Sequence, residues 1–253
     1  MVRKKLGIMG AMPEEVEGVV SLMSNPKKKV IGPRVYFEGN IEGVSVVVAI
    51  SGWGKVASAV TTSVLIHEFQ ITELIFTGVA GAIHSNLRIG DIVIGKRLIQ
   101  HDMDARPLLK RFEIPTLHKT YMESSSKQVE MAIKAVENLI MNDAFYHSLL
   151  ALERMNLQKP HLFVGDIAGG DTFFSDSNQK MNLLSMLPSV LCVEMEGASV
   201  AQVCYEYNIP FIIIRTISDS ADENSSIDFI SFIKEIAGKY SIEIVKNIIR
   251  MLM

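Results

Sequence analysis

Two apolar runs that end in charged residues constrain this chain more than any other feature. Leu191-Cys192-Val193 leads into Glu194-Met195-Glu196, and Phe211-Ile212-Ile213-Ile214 leads into Arg215, with Ser218-Asp219 close behind. Neither run alternates with polar residues as a half-exposed strand does, so both read as strands buried on two faces. A carboxylate is costly to bury without partners. Acids at the ends of such strands therefore cap helices and start turns, or they line a pocket. Three acids, a methionine and an arginine crowded into these positions favour the pocket, because open α/β sheets bind ligands at the carboxyl ends of their strands.

The rest of the pattern alternates strand and helix. Lys5 to Met9 reads as a buried strand, followed by a helix that Pro13 starts and that carries Glu14, Glu15 and Glu17 early, as the helix dipole favours. Val35 to Ile41 and Val44 to Ile50 flank Glu42-Gly43 as a hairpin, and Lys55 to Phe69 has helical spacing. Further strands are expected at Leu74 to Thr77, Ile92 to Ile99 and His161 to Ile167, and further helices at Lys127 to Leu139, Ala144 to Met155, Glu196 to Tyr207 and Phe229 to Met253. Residues 103 to 127 read as one long functional loop. A chain of 253 residues, 48% of them hydrophobic, has material for a full core, and a single domain spanning 1–253 is the simplest division. The order of elements predicts a three-layer α/β fold around a strongly twisted, partly closed sheet.

Several function classes fall away on composition and motif. A net charge of −3 gives no footprint for nucleic acid, and Lys27-Lys28-Lys29 behind Ser24-Asn25-Pro26 reads as a solvated turn. No run of apolar residues is long enough to span a membrane, and the basic N-terminus lacks the features of a secretory signal. Cys192 and Cys204 fit buried free thiols in a reducing compartment, which points to the cytoplasm. Gly7 to Met12 has G-x-x-G spacing without a third glycine, so no dinucleotide fingerprint is present. There is also no phosphate-binding P-loop and no G-x-S-x-G elbow. His101-Asp102-Met103-Asp104 lacks metal-ligand spacing and is read as structural hydrogen bonding, so no metal and no cofactor are expected. Gly78-Val79-Ala80-Gly81 either forms a tight turn or lets backbone N–H groups approach a ligand.

Taken together, Gly10-Ala11-Met12-Pro13-Glu14-Glu15-Val16, Ser51-Gly52-Trp53-Gly54-Lys55-Val56, Gly78-Val79-Ala80-Gly81, Gly90-Asp91-Ile92-Val93, Gly170-Asp171-Thr172-Phe173, Val193-Glu194-Met195-Glu196 and Ile217-Ser218-Asp219 resemble the motifs of the 5′-methylthioadenosine/S-adenosylhomocysteine nucleosidases, in family order and over nearly the whole chain. These enzymes belong to the nucleoside phosphorylase superfamily. The resemblance implies a three-layer αβα sandwich around a twisted mixed sheet, a homodimer, and hydrolysis of the N-glycosidic bond of 5′-thioadenosines to adenine and a thioribose. It implies that Glu15 activates water and that Asp219, supported by Ser218, protonates adenine N7. Glu196 then holds the ribose hydroxyls, with Met195 packed on the sugar, Glu194 beside it and Arg215 orienting the carboxylates. Phe173 stacks on adenine, while Met12, Trp53 and Phe229 meet the alkylthio tail. The loop from Leu108 to Pro115 reaches into the partner's pocket. Val79 stands where many members have serine, leaving only its backbone N–H for the attacking water.

Two rivals share the scaffold: a phosphorylase using phosphate in place of water, and a non-catalytic nucleoside-binding protein. Pro13-Glu14-Glu15 at the nucleophile position disfavours phosphate, and a binding module has no need of both an acid and a base.

Overall fold

A computed structural model describes residues 4–222 and 232–253 of the protein. Its organising element is β5 (Glu73–Ala82), ten residues long. On one edge β5 pairs in parallel with β10 (Phe211–Asp219) from Leu74 to Gly81. On the other edge it pairs in parallel with β1 (Leu6–Gly10) as far as Phe76, and then antiparallel with β9 (Val190–Glu194) at Gly81 and Ala82. Between Phe76 and Gly81 that second edge has no strand partner.

Strand β10 continues antiparallel onto β6 (Ile92–Gln100), which runs parallel to β8 (Leu162–Gly169), which in turn runs parallel to β9. The strands β5, β10, β6, β8 and β9 therefore close into a ring. From β1 an open wing extends through β4 (Val44–Ile50) and β3 (Arg34–Ile41) to β2 (Ser24–Ile31), while the short β7 (Tyr121–Glu123) adds to β6. The sheet is mixed, strongly twisted and partly closed, as the order of elements predicts.

Its central strands β1, β5, β9 and β10 are largely apolar because both of their faces are covered. Ile8, Ile75, Ile212 and Ile214 pack into one core, and Met9, Phe76 and Ile213 into another. This is the two-residue period of strand side chains. The first core takes α1 (Pro13–Val20), α3 (Ser126–Ile140) and α8 (Gly238–Leu252), with the short α4 (Asp143–His147) and α5 (Leu150–Arg154) contributing Tyr146, Ala151 and Leu152. The second takes α2 (Lys55–His67) and α7 (Gly197–Glu206). The result is the three-layer αβα sandwich.

Several local expectations change. Ser24–Ile31 is an edge strand rather than a turn, and its lysines are exposed on it. Charge on an unpaired edge is tolerated because it discourages pairing with another chain. Gly78 to Gly81 lie inside β5 rather than in a turn. The expected helix from Ala144 to Met155 is two short helices, α4 and α5. Helix α6 (Ser177–Met186) was hidden by its weak apolar patterning, with only Leu183 buried. The segment from 103 to 127 contains β7 and the start of α3, so it is shorter as a loop than expected.

Helix α1, which carries Glu15, is braced by α8. A Cβ at Gly238 would lie 2.4 Å from the backbone oxygen of Glu14. Gly238→Ala gains up to about 1 kcal/mol of helix propensity but forces two helix backbones apart, and overpacking costs about 1–3 kcal/mol. The variant is expected to melt at a lower temperature by calorimetry, and to lose activity as α1 shifts.

Candidate active site

The pocket opens where β5 lacks a strand neighbour. Glu15, at the third position of α1, folds its carboxylate back over the helix start. Its Oε2 accepts hydrogen bonds from the N–H groups of Ala11 (2.6 Å) and Met12 (3.0 Å), and its Oε1 accepts one from Val79 N–H on the open edge (3.2 Å). A Cβ at Gly78 would sit 2.7 Å from Glu15 Oε1, so the close approach requires glycine there. Burial pushes the Glu15 pKa up; the Arg215 charge and the three N–H groups pull it back only in part.

Arg215, on β10, is 1% exposed. Its Nη2 donates to Glu194 Oε2 at 2.8 Å, and its guanidinium lies 4.0 Å from the centre of the Phe76 ring. The same carboxylate oxygen of Glu194 accepts from the N–H groups of Glu196 (3.0 Å) and Gly197 (2.5 Å). One buried ion pair thus joins β10 to the end of β9 and the start of α7. The two N–H bonds to Glu194, and those from Arg215 Nη1 to the carbonyls of Phe76 (3.4 Å) and Ile214 (3.3 Å), offset part of the cost of that burial.

Glu196 stands at the N-cap position of α7 with its side chain turned away from the helix N–H groups, and its Oε1 accepts from Gly54 N–H at 2.8 Å. Burial, and then the negative charge of Glu194, push its pKa up to about 8, with Gly54 N–H and Arg215 opposing. Asp219 ends β10 beyond a bulge and is 2% exposed. Its Oδ2 accepts from the Ser218 hydroxyl (2.8 Å) and its Oδ1 from Ala221 N–H (2.9 Å).

These groups surround a cavity of about 290 Å³. Glu15, Val79, Glu194, Met195, Glu196, Arg215 and Asp219 line it, as do Met12, Trp53 and Phe173. Ser218, fully buried, stands behind Asp219 instead. Phe229 lies outside the described residues. A recess bordered by Thr172, Phe173, Phe174, Met195 and Asp219 adjoins the main cavity. Leu108 is 88% exposed, on the loop beyond β6. Sequence reasoning missed Ala11 and Gly54, which act through backbone N–H groups and leave no side-chain signal. It also missed Thr172 and Phe174, neighbours of a motif residue it did identify. Among the described residues no cluster of side chains suits a metal ion, and no helix is long and apolar enough to cross a membrane.

The chain matches the phosphorylase superfamily model over residues 5–250. It is 32% identical to 5′-methylthioadenosine/S-adenosylhomocysteine nucleosidase of Oceanobacillus iheyensis, over 97% of this chain and 98% of that protein. The chain belongs to the 5′-methylthioadenosine/S-adenosylhomocysteine nucleosidases. The fold agrees: the nucleosidase of Colwellia psychrerythraea, solved in complex with adenine, superposes with a TM-score of 0.87 at 29% identity, covering 99% of this chain and 96% of that one. Futalosine hydrolase of Helicobacter pylori superposes with a TM-score of 0.83 at 29% identity, covering 98% of both chains. This nucleosidase is accordingly an N-glycosyl hydrolase of adenosine derivatives.

The high pKa of Glu196 has a consequence for the nucleosidase's stability. Between the ordinary glutamate value of 4.5 and about 8, the folded protein holds a proton that the unfolded chain has released, so stability falls as pH rises through this window. Glu196→Gln removes that slope. Its thermal midpoint should exceed the parent's at pH 8.5 and lie near it at pH 5, with activity lowered but measurable at both.

Proposed function

We propose that Glu15 and Asp219 are the base and acid of the hydrolysis, working from two walls of one pocket on either side of the ribose. The observation that carries this reading is the Glu15 carboxylate, buried yet fixed by three backbone N–H groups beside the open edge of β5. Glu15 takes a proton from water as the water oxygen bonds to C1′. The C1′–N9 bond breaks as Asp219, held by Ser218, gives its proton to adenine N7. A raised pKa makes Glu15 a stronger base near neutrality. Positive charge developing on the ribose falls beside the carboxylates of Glu15 and Glu194, where electrostatic attraction lowers the barrier.

Glu196 accepts from the ribose hydroxyls and Met195 packs on the sugar. Phe173 stacks on adenine, with the adjoining recess receiving the base edge. Met12, Trp53 and Phe229 contact the 5′ tail. Water is favoured over phosphate because Arg215 is the one cation lining the cavity among the described residues, and it is committed to Glu194. A phosphate dianion there would face Glu15 at close range. The physiological reading is a cytoplasmic enzyme, with residues 1–253 forming its nucleosidase domain, that recycles by-products of S-adenosylmethionine chemistry in methionine salvage.

Adenine release from methylthioadenosine should proceed at full rate without phosphate. Asp219→Asn and Glu15→Gln should each lower kcat by about 10²–10⁴ while the protein stays folded. Strict phosphate dependence, or full activity in Asp219→Asn, would overturn the assignment. Running the same assay across S-adenosylhomocysteine, 5′-deoxyadenosine and futalosine ranks the tails.

Assembly as a homodimer completes the proposal. Trp53, Val56 and Val60 are 63%, 75% and 44% exposed, at spacings that put Val56 and Val60 on one side of α2 beside the cavity mouth. An exposed apolar cluster of this kind marks an interaction site. A partner seated there brings its loop from Leu108 to Pro115 towards the tail end of the pocket. Val56→Glu should sediment as a monomer and lose kcat/KM, whereas a Val56→Glu dimer of normal activity would refute this interface.

A further inference from the structure

Gly54 and Lys55, at the start of α2, point their two successive N–H groups at different parts of the site. Gly54 N–H donates to Glu196, as described above, and Lys55 N–H donates to Asp171 Oδ1 at 2.7 Å. Asp171 begins the segment that carries Thr172 and Phe173. The Lys55 side chain then closes a circuit: its Nζ reaches Asp102 Oδ1 at 2.7 Å, and Asp102 Oδ2 accepts from Asp171 N–H at 3.0 Å. Lys55 Nζ also lies 3.4 Å from Gln100 Oε1, and the Gln100 amide donates to Gln202 on α7 at 2.5 Å. Space is tight here, since a Cβ at Gly54 would come within 2.9 Å of Asp171 Oδ1. The side chains of Lys55 and Asp102 are 19% and 27% exposed, so the pair is mostly shielded from water.

We infer that Lys55 is a positioning residue that sets the ribose-holding carboxylate and the base-stacking segment in fixed relation, through the Lys55–Asp102–Asp171 circuit. This rests on the assignment of Glu196 to the ribose hydroxyls and Phe173 to adenine. The physical argument is one of shared restraint. The Gly54 N–H can hold Glu196 in place only while the turn that carries it is fixed, and the charge-assisted bonds of Lys55 and Asp171 fix that turn. Neither Lys55 nor Asp102 borders the cavity, so their effect passes through Gly54 and Asp171.

The test uses the full-length enzyme with methylthioadenosine and its 2′-deoxy analogue, well below the melting point of each variant. Lys55→Met should raise KM for methylthioadenosine about tenfold. It should also shrink the discrimination between the two substrates at least about threefold, because the analogue gives Glu196 less to hold. A purely structural loss lowers both substrates alike and leaves that ratio intact. Asp102→Asn should reproduce the effect, the double variant should be no worse than either single one, as for members of one network, and Lys55→Arg should recover most of the ratio. An unchanged ratio in Lys55→Met, or effects that add in the double variant, would overturn the proposal. Glu196→Gln serves as the control. If it retains the parent's discrimination, the ribose assignment fails and the coupling with it; if it loses discrimination while Lys55→Met keeps it, the coupling alone fails.

Discussion

The exchange of partners along one edge of β5 is the constraint on which this molecule depends. β1 leaves that edge after Phe76 and β9 joins it at Gly81, so the backbone between them must find acceptors elsewhere or face solvent. A buried backbone N–H without an acceptor is rare in folded proteins. Glu15 supplies the acceptor for Val79, and in doing so its carboxylate comes to rest at the mouth of the gap. The fold therefore needs an acid there for structural reasons before any chemistry is asked of it. On the proposed mechanism, the reaction makes use of a group that the sheet already holds in place.

Arg215 plays the complementary part on the other edge. It is a single buried cation among Glu15, Glu194 and Glu196, all of which bear on its ionisation. It makes its ion pair with Glu194 alone. The other two acids are left only partly compensated, and both have raised pKa values. On the proposed mechanism, a substrate that develops positive charge on its ribose supplies the missing compensation. Such a site favours the charge-separated state over the neutral substrate, which is the direction catalysis requires.

Much of this was legible in the amino-acid sequence because the two strands that lead into the site begin as unbroken apolar runs and stop abruptly at charges. Phe211 to Ile214 and Leu191 to Val193 announced buried strands, and Glu194, Glu196, Arg215 and Asp219 at their ends do line one cavity. The distant contribution of Glu15 was visible only through resemblance, since nothing local distinguishes it from an ordinary acid in a first helical turn. What escaped notice was carried by backbone atoms or by weak patterning. Gly54 and Ala11 act through N–H groups, and α6 buries too little to leave a periodic signal. The strand at Ser24–Ile31 escaped because its pattern is polar, as befits an edge with no layer covering it.

That same strand settles how the sheet ends. β2 pairs with β3 alone and presents Lys27, Lys28 and Lys29 in succession to solvent. Another copy approaching this border to continue the ladder would bring like charges within a strand spacing, about 4.8 Å, and would be repelled. Charge along this border thus disfavours growth of the sheet by edge pairing, so an otherwise open edge is discouraged from recruiting further copies of the chain.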